Sequence, residues 1–565
     1  MSSVAPFLVF FAGAALVAIT RGRLSAALLV LTPVAGAVNL WFLDPATVVT
    51  VPLFGYGLVL VEIDRLTTLF GWLFHLAAFI ASVYALHMRD RLQHSMGLAY
   101  AGCALGAVYA GDLLTLFLFW EGLAVTSSFL ILARRTPAAL RSTIRYLAIQ
   151  IGSGMLLLAG ILLFVADGRG LALEPVGLDG TAAWLIFVAI GIKCGFPLLH
   201  NWITDAYPEA TEAGTVLMCA FTTKVAVYLL ARLYPGTEVL IYIGAAMTVF
   251  PIFYAVIENN LRRVLSYSMI NQLGFMVCGI GIGTELAING AISHAFNDVI
   301  FKSLLFMSMG AVLFRTGRIH ASDLGGLYKS MPKTAVLCMV GAASISAFPL
   351  FSGFVSKAMV MAAALEEGYG WVWLALLFAS AGVMEHAGIK IPYFAFFAKD
   401  SGIRVKEAPA PMLIAMTIAA AICIFNGVYP WLLYDMLPFP VAYVPYTWEH
   451  VLTQLQLLLF AALAFTWLKL SGLYPPELPG IDIDAEWVYR RLLPRAVHAV
   501  RRGLQALALP AGLLLELARE RGMAALLGMY GPRSVLARDP VMSVATLVVM
   551  ALFAIVLVLA LVRGL

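Results

Sequence analysis

The stretch GDLLTLFLFWEGLAVTSSFLIL, residues 111–132, carries two carboxylates in an otherwise apolar segment. Asp112 stands near its start, where it can meet water. Glu121 lies about 13 Å further along, if the segment is a helix that rises roughly 1.5 Å per residue. An unpaired charge at that depth in a bilayer costs on the order of a few kcal/mol. We therefore expect Glu121 to be functional and to have a partner elsewhere in the chain.

The composition of the whole chain indicates that this segment crosses a membrane. The chain has 565 residues, of which 62% are hydrophobic and 12% are charged, and a soluble domain has about twice that charged fraction. Apolar runs of about 18 residues or more recur along almost the whole length, and each can cross a bilayer. The sequence therefore predicts an all-α polytopic membrane protein with about 14–16 transmembrane helices.

Sixteen spans follow from these apolar runs. Their approximate limits are 4–20, 24–42, 64–87, 95–111, 112–133, 141–166, 181–205, 211–233, 238–257, 264–284, 286–314, 334–364, 370–397, 410–434, 451–472 and 541–562. No basic segment precedes the first run and no cleavage site follows it, so we expect a retained span rather than a signal peptide.

Lysine and arginine are distributed unevenly among the loops. They follow spans 1, 3, 5, 9, 11 and 13, whereas the even-numbered loops contain few of them, and the short acidic loop near Asp205 is the one odd loop that departs. Because cytoplasmic loops are enriched in basic residues, we expect a multi-pass protein of the plasma (inner) membrane with both termini outside. The net charge of +5 comes from these loops, so no nucleic-acid partner is expected.

The region 473–540 is the one change in composition along the chain. Its stretch AEWVYRRLLPRAVHAVRRGLQAL is basic on one side and apolar on the other, and Pro494 and Pro510 interrupt the region. This pattern favours an amphipathic helix that lies in the membrane interface, on the cytoplasmic side. A final transmembrane anchor is expected after it.

Two spans contain the same tripeptide at a position where a helix would break. Phe196-Pro197-Leu198 interrupts span 7 and Phe348-Pro349-Leu350 interrupts span 12, 152 residues later. A proline in mid-span removes one backbone hydrogen bond and clashes with the preceding turn. Interrupted helices at matching positions of two halves indicate the transport site of a carrier built from repeats, although two unrelated proline kinks would give the same pattern.

Several ionisable residues join Glu121 at membrane depth, and together they suggest a proton path. They are Lys193, Lys224, His294, Asp298, Lys302 and Lys357. Each has a structural alternative: a lysine near a span end can extend to the interface, and Glu385, His386 and Lys390 could lie against water. His200 and Asp205 flank the first break and could satisfy backbone groups there. Lysine is a poor metal ligand, and the sequence contains no metal-site, phosphate-loop or nucleophile motif, so we expect no cofactor and no enzyme site.

At these residues the sequence resembles the antiporter-like subunits shared by respiratory complex I and the Mrp-type multisubunit Na+/H+ antiporters. DLLTLFLFWEGL resembles the family's Asp-Leu…Trp/Phe-Glu segment, and KCGFPLLHNWITDA resembles K-S-A-x-x-P-L-H-x-W-L-P-D-A. ENNLRRVLSYSMINQLGFM is similar to Q-x-D-L-K-R-x-L-A-Y-S-S-x-x-Q-x-G-Y-M, and SAFPLFSGFVSK to the segment of the second broken helix. TTKVAVYLLAR is similar to a segment of Mrp D subunits, the type that the chain resembles most. The resemblance spans roughly residues 60–430.

The resemblance implies a fold of two inverted five-helix repeats, each with a broken helix, and a proton path through the buried charges. The implied roles are Glu121 paired with Lys193, Lys224 as a bridge, His294, Asp298 and Lys302 as a connecting run, and Lys357 as the group that exchanges protons with the far side. The implied supporting residues are Pro197, His200, Asp205, Pro349 and Gly353. The domains would be 1–94, N-terminal spans; 95–233 and 238–400, the two repeats; 401–472, C-terminal spans; 473–540, the interfacial segment; and 541–565, the anchor.

Four functions are compatible with this fold. The first is a proton-translocating subunit of a monovalent cation (Na+ or K+)/proton antiporter, embedded in lipid and assembled with other membrane subunits. The second is a proton-pumping subunit of a redox complex related to complex I or a hydrogenase. The third is the energy-coupling membrane subunit of an inorganic-carbon uptake system, and the fourth is a scaffold that has lost conduction. Retention of the expensive buried charges disfavours the scaffold, and the D-like segment favours the antiporter.

Overall fold

The computed structural model describes residues 4–44, 47–53, 55–478, 480, 483–531 and 542–562. The chain divides into a large unit, residues 1–482, and a second unit, residues 483–565. In the described part of both units, most residues are helical.

The first half of the large unit contains helices and one antiparallel β-hairpin. Its elements are α1 (Pro6–Ile19), α2 (Gly22–Trp41), β1 (Val48–Leu53), β2 (Tyr56–Glu62), α3 (Arg65–Ala85), α4 (Arg91–Tyr109), α5 (Leu113–Leu132), α6 (Pro137–Ala166), α7 (Gly180–Cys194), α8 (Asn201–Ala206), α9 (Glu212–Ala220) and α10 (Thr222–Leu233). Carboxylates cap the starts of three of these helices: Asp64 accepts a hydrogen bond from the Thr67 N–H and Asp112 from the Thr115 N–H, each at 2.8 Å, and Asp90 accepts one from the Gln93 N–H at 3.2 Å. Such caps satisfy backbone donors that the first helical turn leaves free.

The second half of the large unit is also helical, and two of its helices are mostly buried. Its elements are α11 (Val239–Ile257), α12 (Leu261–Ile282), α13 (Glu285–Thr316), short 3-10 turns at Ala321–Asp323 and Leu327–Lys329, α14 (Pro332–Ile345), α15 (Ser352–Glu366), α16 (Gly370–Val383), a π-helix at Met384–Ile389, α17 (Lys390–Pro392), a π-helix at Tyr393–Phe397, α18 (Ala410–Val428), α19 (Trp431–Tyr434) and α20 (Trp448–Leu470). In their apolar windows, 94% of α12 and 83% of α13 is buried, compared with 17% of α20. Asp298 and Lys302, in the middle of α13, are therefore enclosed by protein rather than lipid.

The predicted spans are recovered as helices. Each of the sixteen predicted ranges coincides with one helix or with consecutive helical segments. Eleven helical segments in the described residues are long and apolar enough to cross a bilayer, and the two halves of each Pro-interrupted span are shorter. The prediction of an all-α polytopic membrane protein is confirmed.

Three features of the large unit were not predicted from the sequence. The β-hairpin of β1 and β2 lies in a stretch that was left unassigned between two spans. The span 211–233 divides at Phe221, whose backbone (φ −106°, ψ −68°) separates α9 from α10. The span 370–397 changes from α-helix to π-helix at Met384. Composition alone did not indicate these changes, because apolar residues continue across both spans.

The two Phe-Pro-Leu breaks have the same backbone structure. The N–H of Phe196 donates to the carbonyl of Gly191 at 3.0 Å, and the N–H of Phe348 donates to that of Ala343 at 3.0 Å. The leucine after each proline has a positive φ, 69° for Leu198 and 74° for Leu350, a conformation that costs a non-glycine residue free energy. Both breaks thus repeat the same strained turn 152 residues apart, so they are not unrelated proline kinks.

Gly353 is required by the close approach of the two halves of the second break. A Cβ at this position would overlap the carbonyl oxygen of Ser344. We expect Gly353→Ala to lower the free energy of unfolding by about 1–3 kcal/mol through overpacking. Thermal unfolding in detergent measures the change. Gly152→Ala is the control, because a Cβ there meets nothing within 4 Å; an equal midpoint for both variants would contradict this account of Gly353.

The second unit contains the basic segment and the last span. A π-helical turn, Val488–Leu492, leads into the long helix α21 (Leu493–Tyr530), and α22 (Met542–Val562) follows. Pro494 lies in the first turn of α21, where proline is tolerated, and the helix continues through position 510. The expectation that both prolines interrupt the segment was therefore wrong. Residues 532–540 of the predicted interfacial segment lie outside the described residues.

Candidate functional site

The ionisable side chains predicted to form a path lie on α5, α7, α10, α13 and α15. Glu121 is partly buried. The others have exposed fractions of at most 2%, and they are Lys193, Lys224, His294, Asp298, Lys302 and Lys357. We call these seven residues the central polar row.

Lys224 and Asp298 form an ion pair at the centre of the row. Lys224 Nζ lies 2.5 Å from Asp298 Oδ2, and both side chains are 0% exposed. Lys224 stands just after the break at Phe221, and its Nζ is also 3.4 Å from the carbonyl oxygen of Cys219. The pair links α10 of the first half to α13 of the second. The sequence indicated both residues, but not this direct contact.

The polar side chains on the Asp298 face of α13 include both hydrogen-bonded atoms and atoms without a partner among the described residues. His294, Asp298 and Lys302 are spaced four residues apart and share one helical face. Lys302 Nζ donates to Ser268 Oγ at 2.9 Å, and His294 Nδ1 lies 3.0 Å from Ser356 Oγ. Asp298 Oδ1 and His294 Nε2 have no hydrogen-bond partner among the described residues. These two buried atoms are thus available to take up or pass on a proton.

Lys357 reaches back across the second break. Its Nζ donates to the carbonyl of Ile345, the last residue of α14, at 2.7 Å, and lies 5.1 Å from the ring centroid of Phe275. With the 152-residue offset of the two breaks, position 345 is equivalent to position 193. The first half therefore carries Lys193 before its break, and the second half brings the Lys357 ammonium group from beyond its break to the carbonyl of the equivalent position, Ile345.

Glu121 and Lys193, both of which the structure describes, do not form the expected ion pair. Lys193 Nζ instead donates to the carbonyl of Trp120 at 2.7 Å and lies 4.1 Å from the centroid of the Trp120 ring. Glu121 Oε1 has no hydrogen-bond partner in the described part of the chain, and it contacts α6 at Gly154, where a Cβ would overlap it. The lysine is held one residue from the carboxylate, so a local rearrangement would bring the two charges together.

The supporting residues of the first break lie beside the row rather than in it. Asp205 accepts two hydrogen bonds from Arg145, Nε to Oδ2 and Nη2 to Oδ1, each at 2.8 Å. Trp202 Nε1 donates to the carbonyl of Ile192 at 2.7 Å, and the His200 ring lies 4.7 Å from that of Phe250. Arg145 was missed from the sequence, although an arginine inside the predicted span 141–166 was a signal for a buried partner.

A buried arginine that was counted as a loop residue also supports the first break. Arg262, at the start of α12, is 1% exposed. Its guanidinium donates to the carbonyls of Tyr207, Pro208, Ala210 and Thr211 at 3.0–3.3 Å and to the Thr215 hydroxyl. It joins the second half to the turn that follows α8.

The chemistry available at this site is proton exchange. Lysine, histidine and carboxylate side chains, the kinds of group that a proton relay uses, are buried on these helices. Within the described residues, no group of three His, Cys, Asp or Glu side chains could hold a metal ion.

Comparison with known proteins identifies the family. Residues 110–384 match the model of the transmembrane family "NADH:quinone oxidoreductase/Mrp antiporter". The chain is 31% identical over 341 residues to the D subunit of the Na(+)/H(+) antiporter of Alkalihalophilus pseudofirmus, and the match covers 55% of this chain and 69% of that protein. It is 26% identical over 426 residues to hydrogenase-4 component B of Escherichia coli, covering 66% of this chain and 63% of that one.

The fold is also found in a solved respiratory complex. A chain of the membrane-bound sulfane sulfur reductase, an archaeal respiratory membrane complex, superposes with a TM-score of 0.71 at 21% identity, over 98% of this chain and 99% of that one. The family match spans the central polar row from Glu121 to Lys357 and both helix breaks. The chain therefore belongs to the family of membrane subunits shared by NADH:quinone oxidoreductases and Mrp antiporters.

Proposed function

We propose that the chain is the proton-translocating subunit of a monovalent cation (Na+ or K+)/proton antiporter. The observation that carries the proposal is the Lys224–Asp298 ion pair, buried at the junction of the two halves and flanked by a lysine at each broken helix. Buried charges are costly to maintain in a membrane protein. The presence of seven ionisable groups within these helices therefore favours a conducting subunit over a scaffold.

In the proposed mechanism, protons move along the central polar row by exchange between neighbouring groups. Lys224 passes a proton to Asp298, and the unbonded Asp298 Oδ1 provides the next acceptor site on the face shared with Lys302. Lys357 takes up the proton and releases it through the second break. The strained turns at the breaks allow each lysine to change its backbone partner without unwinding a complete helix.

The Glu121–Lys193 pair acts as the switch of this mechanism. Two opposite charges that approach to 4 Å interact by about 4 kcal/mol at an effective dielectric constant of about 20. Relative to charges far apart, contact would raise the affinity of Lys193 for its proton by at most about 1000-fold, since about 1.4 kcal/mol corresponds to a factor of 10. Glu121 already attracts Lys193 in the present arrangement. In the separated arrangement the Trp120 carbonyl holds the lysine. Movement of Lys193 between the Trp120 carbonyl and Glu121 couples the charge state of the first half to the rest of the row.

The setting of the chain is part of the same proposal. We place it in the plasma (inner) membrane with its N-terminus outside, in a hetero-oligomer with other membrane subunits, and with two inverted repeats at 95–233 and 238–400. A proton-pumping subunit of a redox complex is the second candidate, because hydrogenase-4 component B is similar over 66% of this chain. An inorganic-carbon uptake system would use the same fold with a soluble partner.

Purification from native membrane distinguishes these settings. The intact complex is isolated through a tag on this chain, its subunits are identified by mass spectrometry, and its iron and zinc contents are measured. We expect further small membrane subunits and no stoichiometric redox centre. Stoichiometric iron–sulfur subunits would instead establish the redox setting, and a large soluble zinc protein the carbon-uptake setting.

A further inference from the structure

The π-helix Met384–Ile389 places ionisable residues inside the membrane that the central polar row does not include. π-helical turns are rare and are frequent at functional sites. Glu385 and His386 lie in this turn, and Lys390 follows it. His386 and Lys390 are each 0% exposed, so neither lies against water as the structural alternative required.

The turn is connected to one surface of the protein through a buried hydrogen-bonded cluster. Lys390 Nζ donates to the carbonyls of Val256 and Glu258, at 2.6 and 2.8 Å, and lies 2.9 Å from Glu477 Oε1. The Tyr474 hydroxyl donates to Glu385 Oε1 at 2.9 Å. Carboxylates from two separate segments thus meet around one tyrosine and one lysine.

The surface in question is the one that carries the Arg262–Arg263 turn. Glu258 ends α11 immediately before this turn, and its carboxylate lies 3.5 Å from Arg263 Nη1. Burial raises the pKa of the Glu477 carboxyl, and the charge of Lys390 beside it opposes part of that rise. Glu477 stands in the loop after α20 and its carboxylate oxygens are buried, so it belongs to the part of the cluster that lies outside the membrane-spanning helices.

The other end of the π-helical turn contacts the second helix break. A Cβ on Gly388 would overlap the hydroxyl of Ser346, the residue that follows the carbonyl to which Lys357 donates. The turn also packs against α12, which carries the Ser268 partner of Lys302. The charges of Lys302, Lys357 and Lys390 all act on the His386 ring.

His386 is the link between the two ends. Neither of its ring nitrogens makes a well-aligned hydrogen bond among the described residues, and the carbonyl of Gly382, one turn before, lies near the ring. Glu385 Oε2 is also without a partner in that part of the chain. A buried imidazole in this setting can accept a proton on one nitrogen and release one from the other, which leaves its own charge unchanged after each transfer.

We propose that Glu477, Glu385 and His386 form a second proton inlet, which leads from the surface of the Arg262–Arg263 turn to Lys302 and Lys357. The inlet rests on the proton-translocating function proposed above. It supplies protons to the second half of the row, while the Glu121–Lys193 pair remains the switch on which coupled flux depends. Each step moves one proton from Glu477 to Glu385, to His386 and then to a lysine of the row.

The test is the initial rate of cation-driven proton flux in proteoliposomes that contain the complete complex. Glu385→Gln, His386→Asn and Glu477→Gln each remove one proton-carrying group with little change in shape, and we expect a loss of about tenfold in rate. Glu385→Asp retains a carboxyl group and should recover most of the rate. His75→Asn is the matched control, because His75 is also a buried intramembrane histidine, 2% exposed, and lies on α3.

Rates within twofold of the unmodified complex for Glu385→Gln and His386→Asn would overturn the inlet, as would an equal loss in Glu385→Asp. Because Glu477 lies in a loop, Glu477→Gln still tests the inlet if a substitution within the helix impairs folding. Proton flux in the unmodified complex is measured first. Its absence would reject the proposed function and the inlet together, whereas normal flux with no effect of these variants would reject the inlet alone.

Discussion

Asp298→Asn is expected to lower cation-driven proton flux by about 100-fold or more and to destabilise the protein by about 3–5 kcal/mol. The asparagine has the shape of the aspartate but leaves the Lys224 ammonium, 0% exposed, without its counter-charge. Breaking a buried pair on one side is costly because the remaining charge stays out of water. Flux is measured in proteoliposomes, and stability by thermal unfolding in detergent.

The double variant Lys224→Gln/Asp298→Asn separates stability from transport. Removal of both charges should restore much of the lost stability, because no unpaired charge remains, whereas flux should stay absent. Glu285→Gln is the control, because it makes the same chemical change at an exposed position in the first turn of the same helix. Flux near the unmodified level in the double variant would show that protons do not pass through this pair.

Glu121→Gln is expected to abolish coupled proton flux while leaving stability nearly unchanged. The carboxylate forms no ion pair in the structure, and its Oε1 has no partner among the described residues, so an isosteric amide loses little. It does lose the charge that attracts Lys193 and thus the switch. The same two measurements apply, and full flux in this variant would contradict the paired-carboxylate mechanism.

The different stability effects expected for Asp298→Asn and Glu121→Gln follow from the surroundings of the two carboxylates. Both are carboxylates inside the membrane region, but only Asp298 is paired in this conformation. A variant of Glu121 that unfolds as readily as Asp298→Asn would mean that Glu121 has a structural partner in the complex. Comparison of the two variants therefore tests whether Asp298 is a permanent bridge and Glu121 is the switch.

The membrane fold was predictable because hydrocarbon thickness fixes the length of an apolar helix and proline interrupts it. The central polar row was predictable residue by residue, since charges are rare in such spans. The side-chain contacts within the row were not predictable from the sequence. Lysine side chains are long enough to reach backbone carbonyls, so Lys193 donates to the Trp120 carbonyl instead of pairing with Glu121. Asp298 pairs with Lys224 on α10 rather than with a residue of its own helix.

Other features depended on tertiary structure that no local pattern reports. Arg145 meets Asp205 only because α6 packs on α8. The π-helix at Met384 continues directly from the α-helix before it, and no helix-breaking residue at the junction distinguished them. The β-hairpin had a local signal, since VVTVPL and YGLVLVE flank a short turn, but it was not assigned.

The most direct test of the central claim is the movement of protons driven by a cation gradient. The purified complex is reconstituted in proteoliposomes with an internal pH dye, and Na+, K+ or choline is added outside at equal ionic strength. We predict rapid proton movement with Na+ or K+ and none with choline. Proton movement that is the same for all three cations, or absent for all three, would contradict a cation/proton antiporter built on this chain.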